Sequence, residues 1–264
     1  MKAPRADALD PGATVRRWGA DLPVEPGIQA EIRRFTNDGE TLGQTYAAAL
    51  AQGIKKQVFE AAAKNLAQID AGKMEPFFDV TFPDPGFATG QSEKELSDAQ
   101  KKFESGFVRT EFRTFVACDD TPRDALRIYT SEAFRLKTSS RTKRIWIDGG
   151  NSCVETEGKM FVPAMMSCNH IDELHEPGMS LQHSQVVSNP GGRDYQVVYF
   201  KESLKTITKV DGGLIVHYIN FSRSMKINSI AKKFVKGALQ DSQLEAIAEL
   251  HKELEAISPE HSPQ

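Results

Sequence analysis

The last quarter of the chain carries the clearest pattern of hydrophobic and polar positions. Aromatic and β-branched residues fill two segments, 204–210 and 214–219, which are separated by Asp-Gly-Gly at 211–213. Such residues favour a pleated, half-buried surface, and glycine supplies the positive φ of a tight turn. The pattern therefore predicts a β-hairpin over Tyr195–Phe221.

A long amphipathic helix is predicted directly after this hairpin, over Ile227–Ile257. Apolar residues recur there at spacings of three and four, which places them on one stripe of a helix. They are Ile227, Ile230, Ala231, Phe234, Val235, Ala238, Leu239, Leu244, Ile247, Leu250, Leu254 and Ile257. A stripe of this length needs an apolar partner, and the preceding sheet is the nearest one.

The N-terminal part reads as helical. Residues 1–27 contain four prolines and are expected to be an extended arm, followed by a short helix at Ile28–Phe35. Thr41–Ala71 is rich in alanine and keeps helical spacing of its apolar residues, which predicts a stronger helix. A capping box at Ser92 opens a polar helix that is expected to end near Phe103.

From residue 106 onward the pattern is that of short strands. Gly106–Cys118 predicts a strand, and Pro122 then sits at the first position of a short helix over Asp124–Tyr129. Further strands are expected at Lys143–Ile147, Lys159–Met166 and Leu181–Val187, with glycine-rich turns between them. Consecutive strands joined by turns predict an α+β fold with an antiparallel sheet.

This order of elements resembles the START-like, or helix-grip, superfamily, which includes lipid-transfer domains and bacterial polyketide cyclases. The matching parts are the strand before Asp120-Thr121-Pro122 with its short helix, and the stretch from Val210-Asp211-Gly212-Gly213-Leu214 to the closing helix. The resemblance covers residues 106–257. It leaves an N-terminal arm and helical extension at 1–105 and a disordered tail at 258–264.

The resemblance implies a curved antiparallel sheet that grips the long C-terminal helix around an apolar cavity. Such a cavity removes a lipid or polycyclic molecule from water, which is worth roughly 0.8 kcal/mol per buried methylene. The leading hypothesis is therefore binding or transfer of an apolar small molecule, above all a lipid, without a cofactor. The alternatives are a cyclase- or hydrolase-type enzyme on the same scaffold and a protein-interaction module without a cavity.

Composition narrows the choice of partner and compartment. A net charge of −3 argues against a nucleic-acid binder that relies on phosphate neutralisation. The N-terminus lacks the apolar core of a secretory signal, so a cytoplasmic location is expected, or a periplasmic or secreted one if a signal has been removed. Three cysteines leave one unpaired in any disulfide scheme, which weakly favours a reducing compartment.

Seven residues are the candidate wall of the ligand cavity, because they are aromatic, apolar or amphipathic and fall on the closing strands and helix. They are Trp146, Tyr195, Val197, Tyr199, His217, Tyr218 and Phe234. His217 is the polar candidate: facing inward, it would bond a ligand hydroxyl or carboxylate; otherwise it faces out or is a satisfied core histidine.

Two other clusters have simpler interpretations. Cys168, His170, His175 and His183 offer zinc-ligand atom types, but their spacing matches no closed zinc site, and an acidic, partly exposed loop explains the segment better. No metal site is therefore predicted. Lysines at 226, 232, 233 and 236 form a basic start to the closing helix. They suggest transient contact with an anionic membrane surface, although a solvated helix face is the ordinary explanation.

Overall fold

An eight-stranded antiparallel sheet forms the centre of the protein, in the strand order β1-β2-β8-β7-β6-β5-β4-β3. The structure is a computed structural model that describes residues 44–70, 76–158, 163–223 and 229–257. Every strand pair along this order is antiparallel. The predicted α+β class with an antiparallel sheet and a long C-terminal helix is confirmed.

Along the described residues, the α-helices and strands follow one another as a helix, a strand, a helix, a strand, two helices, six consecutive strands and a last helix. The helices are α1 (Gln44–Asp70), α2 (Asp98–Glu104), α3 (Pro122–Thr130), α4 (Glu132–Thr138) and α5 (Ser229–Ile257). The strands are β1 (Phe77–Thr81), β2 (Val108–Ala117), β3 (Thr142–Asp148), β4 (Asn151–Thr156), β5 (Met165–Glu176), β6 (Met179–Ser188), β7 (Phe200–Val210) and β8 (Gly213–Arg223).

Helices cover the sheet on both sides, and the two sides have separate cores. We call the side that carries α3, α4 and the C-terminal part of α5 the inner face, and the side that carries α1 the outer face. The inner core joins the following residues of the sheet and the three helices: Phe112, Val116, Ala125, Leu126, Tyr129, Phe134, Ile207, Leu214, Val216, Leu250 and Leu254. The closing helix therefore lies on the sheet, as its apolar stripe predicted.

The outer core is built on α1, whose apolar side packs over β6, β7 and β8. Leu50, Ile54 and Leu66 of α1 are almost completely buried, against Leu181, Leu204, Ile215 and Ile219 of the sheet. Helix α1 therefore packs on the side of the sheet opposite to α3, α4 and the C-terminal part of α5.

Local sequence signals explain how the main elements begin and turn. The Thr121 side chain accepts a hydrogen bond from the Asp124 backbone N–H, and Pro122 occupies the first turn of α3, as expected. Gly212 has a φ of 78° in the β7–β8 turn, which a residue with a Cβ adopts only with strain. The predicted hairpin, the β2 strand and the α3 helix are confirmed.

Three sequence expectations are wrong. Residues 168–176, expected to form a loop, belong to strand β5, because pairing with β4 and β6 outweighs the low strand propensity of their acidic residues. The polar helix from Ser92 is divided into a short 3₁₀ turn at Glu93–Glu95 and α2, since Ser97 caps a second helix. Cys153 and Cys168 form a disulfide between facing positions of β4 and β5, which removes the basis for expecting a reducing compartment.

Three elements escaped prediction, and several predictions fall outside the described residues. Helix α4 and strands β1 and β4 were not foreseen. The arm at 1–27, the helix at Ile28–Phe35, the tail at 258–264 and the first half of the strand predicted at Lys159–Met166 lie outside the described residues. Within the described residues, none of the helices combines the length and apolar content needed to cross a bilayer.

Gly53 in α1 gives a direct test of how closely α1 approaches the preceding loop. A Cβ added at Gly53 would lie 1.9 Å from the Ala88 carbonyl oxygen, whereas one added at Gly237 in α5 would meet nothing within 4 Å. We expect Gly53→Ala to destabilise the protein by about 1–3 kcal/mol through steric strain, despite the better helix propensity of alanine. The matched control, Gly237→Ala, should be neutral or stabilising by up to about 1 kcal/mol. Urea denaturation measures both, and equal effects would contradict the close approach.

Candidate ligand-binding site

The seven residues predicted to line one cavity lie on different sides of the sheet. Tyr218 faces inward and packs against the inner core. His217, directly before it, is buried on the outer face beneath α1. Successive side chains of a strand point to opposite faces, so one strand cannot offer both residues to one cavity.

Trp146, Tyr195 and Tyr199 also lie on the outer side. Trp146 faces Cys153 across β3 and β4 and is stacked by the Arg144 guanidinium, 4.6 Å from its ring centroid. The Tyr195 hydroxyl donates to Glu155 Oε1 at 2.8 Å. The Tyr199 ring packs against the outer core.

The remaining two candidates are not placed on either face. Val197 is half-buried in the segment before β7. The Phe234 side chain lies outside the described residues, as do those of Lys226, Lys232 and Lys233. Lys236 is exposed on α5.

His217 belongs to a buried polar network that joins α1 to the sheet. Its Nε2 lies 3.2 Å from Glu111 Oε1 and 3.1 Å from Asn65 Nδ2. Burial lowers the pKa of His217. Burial alone would raise the pKa of Glu111, but the His217 hydrogen bond and the Arg109 guanidinium reverse this and hold it at about 2. Glu111 is therefore a carboxylate at neutral pH.

A second buried network on the outer face contains His183. Its Nε2 contacts Glu202 Oε1, and its Nδ1 lies 3.9 Å from Asp172 Oδ2. The His183 ring also packs against Phe59 of α1, with centroids 5.7 Å apart. Burial lowers the pKa of His183, but the two carboxylates outweigh it and raise the pKa overall. These contacts tie α1 to β5, β6 and β7.

The four zinc-type residues considered from the sequence do not converge on one point. Cys168 is held in the disulfide with Cys153. His175 pairs with Ser180, and its Nδ1 lies 3.0 Å from Ser180 Oγ, whereas His183 is on the opposite face of β6. The strand alternation that separates His217 from Tyr218 separates these histidines as well.

The inner face changes character along its length. At the end near the β7–β8 turn it is apolar and closely packed by Ile207, Leu214 and Val216. Toward the other end it is polar, and facing positions on three strands carry these side chains: Gln182 and Ser184 on β6, Lys201, Ser203 and Lys205 on β7, and Tyr218 and Asn220 on β8. This polar half of the inner face is the candidate site.

Three cations approach the candidate site. Lys201 and Lys205 come from β7, and Arg135 comes from α4, where its Nη1 donates to Ser152 Oγ at 3.2 Å. Burial lowers the pKa of Lys201 to about 8, and the Arg135 charge adds to this. Burial, Arg135 and Lys201 together lower the pKa of Lys205 to about 7. The lysines retain partly exposed side chains, so protein surrounds them without sealing them.

Neutral polar groups complete the site. The Tyr129 ring lies 5.0 Å from Lys205 Nζ, a distance at which the ring face attracts a cation. Burial raises the pKa of Tyr218, so this tyrosine is a neutral hydroxyl. Asn220 Oδ1 is buried with no protein hydrogen-bond donor in the described part of the chain. The site therefore offers donors, an aromatic surface and an unsatisfied acceptor.

A separate, half-open pocket of about 250 Å³ lies on the protein surface where α3, α4 and α5 meet. Its lining includes Ile128, Phe134, Lys137 and Glu253. Lys137 pairs with Glu253 across this pocket, with Nζ 2.8 Å from Oε1. None of the seven residues predicted from the sequence lines it.

Comparison with known proteins gives matches among solved structures alone. No family model and no curated protein sequence matches the chain. Human StAR-related lipid transfer protein 5 is 13% identical, with a TM-score of 0.44, and the match covers 78% of this chain and 99% of that one. A STAR-related lipid transfer protein from Xanthomonas axonopodis is 8% identical, with a TM-score of 0.44, over 56% of this chain and 85% of that one.

A third similar structure is the di-domain ARO/CYC protein StfQ from the steffimycin biosynthetic pathway. It is 12% identical, with a TM-score of 0.43, over 61% of this chain and 56% of that one. Two lipid transfer proteins and a di-domain ARO/CYC protein are therefore among the structures to which this chain is similar.

The low pKa of Glu111 predicts a specific loss of stability in acid. A carboxylate whose pKa is lower in the folded than in the unfolded state stabilises the protein at pH values above its unfolded-state pKa. This contribution disappears as the pH falls toward the folded-state pKa. Between pH 5 and pH 3, we expect wild type to lose about 2 kcal/mol more unfolding free energy than Glu111→Gln. Urea denaturation at both pH values measures this. Exposed Glu60 supplies the control, because Glu60→Gln should lose as much unfolding free energy as wild type between the two pH values. An equal loss in Glu111→Gln and wild type would refute the network.

Proposed function

We propose that the protein binds a lipid, or a small molecule with a comparably large apolar part, between the inner face of the sheet and helices α3, α4 and α5. The observation that carries this proposal is the change along the inner face from a closed apolar core to a partly exposed polar wall. A sheet face that helices merely seal would be apolar along its whole covered length. Here Lys201, Lys205 and Tyr218 keep accessible surface on that face.

The arrangement suits a molecule with an apolar part and a polar end. Its polar end would lie at the β7 lysines, and its apolar part would contact Tyr218 on β8 and the half-buried Ile171 on β5, which lie on either side of β7 in the sheet. Removing ten methylenes from water is worth roughly 8 kcal/mol before ordering costs, enough to hold such a molecule. Ligand sites commonly combine apolar walls with a few polar groups that fix orientation, and the inner face has this composition.

The enzyme hypothesis rested on His217 or on the cluster at 168–183, and two of these groups are held away from the inner face. His217 is bonded to Glu111 and Asn65 beneath α1, and Cys168 is in a disulfide. Neither reaches the inner face, so we assign no reaction to the candidate site. Binding, with or without transfer between membranes, is the function that its geometry supports best.

A cavity-filling substitution tests the proposal. Ser203 lies on the inner face between Lys201 and Lys205, and Ser203→Phe would place a ring where the ligand is expected. We expect native mass spectrometry of the wild-type protein, purified from its expression host or incubated with decanol, to show one bound small molecule per chain. Ser203→Phe should reduce the bound fraction at least about tenfold, because the ring occupies the ligand volume.

The matched control is Ile147→Phe, which adds a ring at a position that is 71% exposed on β3. It should bind like wild type, and circular dichroism should show that both variants are folded. Wild-type protein that carries nothing and takes up no decanol would refute the proposal. So would undiminished binding by folded Ser203→Phe.

A further inference from the structure

We infer that the ligand of the inner face carries one anionic group, a carboxylate or a phosphate, which Lys201, Lys205 and Arg135 bind together. This inference rests on the proposed function and specifies its ligand class. The sequence drew attention to apolar and aromatic residues of the closing strands and did not single out these three cations.

The two lysines are arranged for a shared ligand. They are four residues apart on β7, so they point to the same face of the sheet. Their Cα atoms are about 13 Å apart at the usual rise per strand residue, and each side chain reaches about 6 Å. Ser203 lies between them and faces Asn220 and Ser184 on the neighbouring strands. Two long side chains flanking a small one leave room between them for a compact anionic group.

Arg135 closes the third side of this region. It extends from α4, and its charge adds to the effect of burial in lowering the pKa values of both lysines. Its one hydrogen bond among the described residues is to Ser152 Oγ, which leaves other guanidinium N–H groups free to donate. Arginine and lysine together are well suited to carboxylate and phosphate oxygens.

The three cations have no carboxylate partner in the part of the chain that the structure describes. Among the described residues, no Asp or Glu oxygen lies within 4.0 Å of the charged nitrogens of Lys201, Lys205 or Arg135. Glu173 faces the site from β5, but its Oε1 accepts from Gln182 Nε2 at 2.9 Å. Glu132, at the start of α4, is exposed. The site is therefore positive and incompletely compensated.

An uncompensated set of this kind opposes folding unless something binds to it. Burial disfavours each charged form, and like charges add to the penalty. Two buried charged pairs of the outer face show the contrasting arrangement, because Glu111 is matched by Arg109 and Glu202 by His183 within the protein. An anionic ligand would supply the missing charge on the inner face.

Three probes with the same ten-carbon chain separate the charge from the apolar part: decanoate, decyl phosphate and decanol. By calorimetric titration at pH 7, we expect wild type to bind at least one of the two anions about tenfold or more tightly than decanol. Whichever anion binds tighter identifies the headgroup. Lys201→Met/Lys205→Met should bind all three with affinities within about threefold, because methionine keeps the apolar stem and removes the charge.

The conservative variant Lys201→Arg/Lys205→Arg is the matched control, and it should retain the preference for the anions. The methionine variant should also melt at a higher temperature than wild type without ligand, since it removes two uncompensated charges. A lysine pair with a purely structural role would instead lower the melting temperature on substitution.

The outcomes separate this inference from the proposed function. If decanol binds as tightly as both anions, or if the methionine variant keeps the preference, the charge inference is wrong while binding of an apolar molecule stands. If neither decanol nor the anions bind, both are wrong.

A pH titration gives an independent prediction. A bound anion favours the protonated lysines, so the complex holds more protons than the free protein, and affinity must fall as pH rises. We expect decanoate affinity to weaken from pH 6.5 to pH 9, as Lys205 and then Lys201 lose their protons. Arg135 remains charged over this range, whereas Tyr129 and Tyr218 remain neutral. The methionine variant should show a flat profile, and a flat wild-type profile would contradict the inference.

Discussion

Both faces of the sheet are covered by helices, and this constraint assigns each side chain of the central strands to one of two different interiors. The alternation of a β-strand makes the assignment strict, because neighbouring residues cannot share a face. His217 and Tyr218 illustrate the consequence: one is bonded to Glu111 beneath α1, and the other lines the inner face near α3 and α4. The positions of all candidate ligand contacts depend on which interior each residue enters.

The two interiors treat buried charge differently, and this difference points to their roles. On the outer face, Glu111 and Glu202 meet histidine or arginine, so these charges are compensated within the fold. Those contacts hold α1 on the sheet. On the inner face, Lys201 and Lys205 are surrounded but have no carboxylate partner among the described residues, and burial lowers their pKa values. Perturbed, unpaired groups facing an interior are typical of functional sites.

Much of the architecture could be predicted from the sequence, because long periodic segments determine their own structure. The closing helix, the β7–β8 hairpin, β2 and α3 were predicted from spacing, turn residues and a proline at a first helical position. The candidate site could not be predicted, because β8 is buried on both faces. Its sequence is a nearly continuous apolar run, which does not show which of its residues point to the inner face. Strand β5 was missed because its acidic and histidine residues have low strand propensity, and pairing on both sides compensates for this.

A signal for the inner site was nevertheless present in the sequence. Lys201, Ser203, Lys205 and Lys209 alternate with buried residues along β7, so one face of a strand in the middle of the sheet carries three lysines. Lysine is seldom found inside a fold without a partner. On an exposed sheet the same lysines would form a solvated face. The pattern alone therefore does not distinguish a solvated face from a covered, charged site. The helices decide between them: once α3 and α4 cover that face, the same lysines become surrounded charges without a carboxylate partner in the described part of the chain, and the proposed anionic ligand would compensate them.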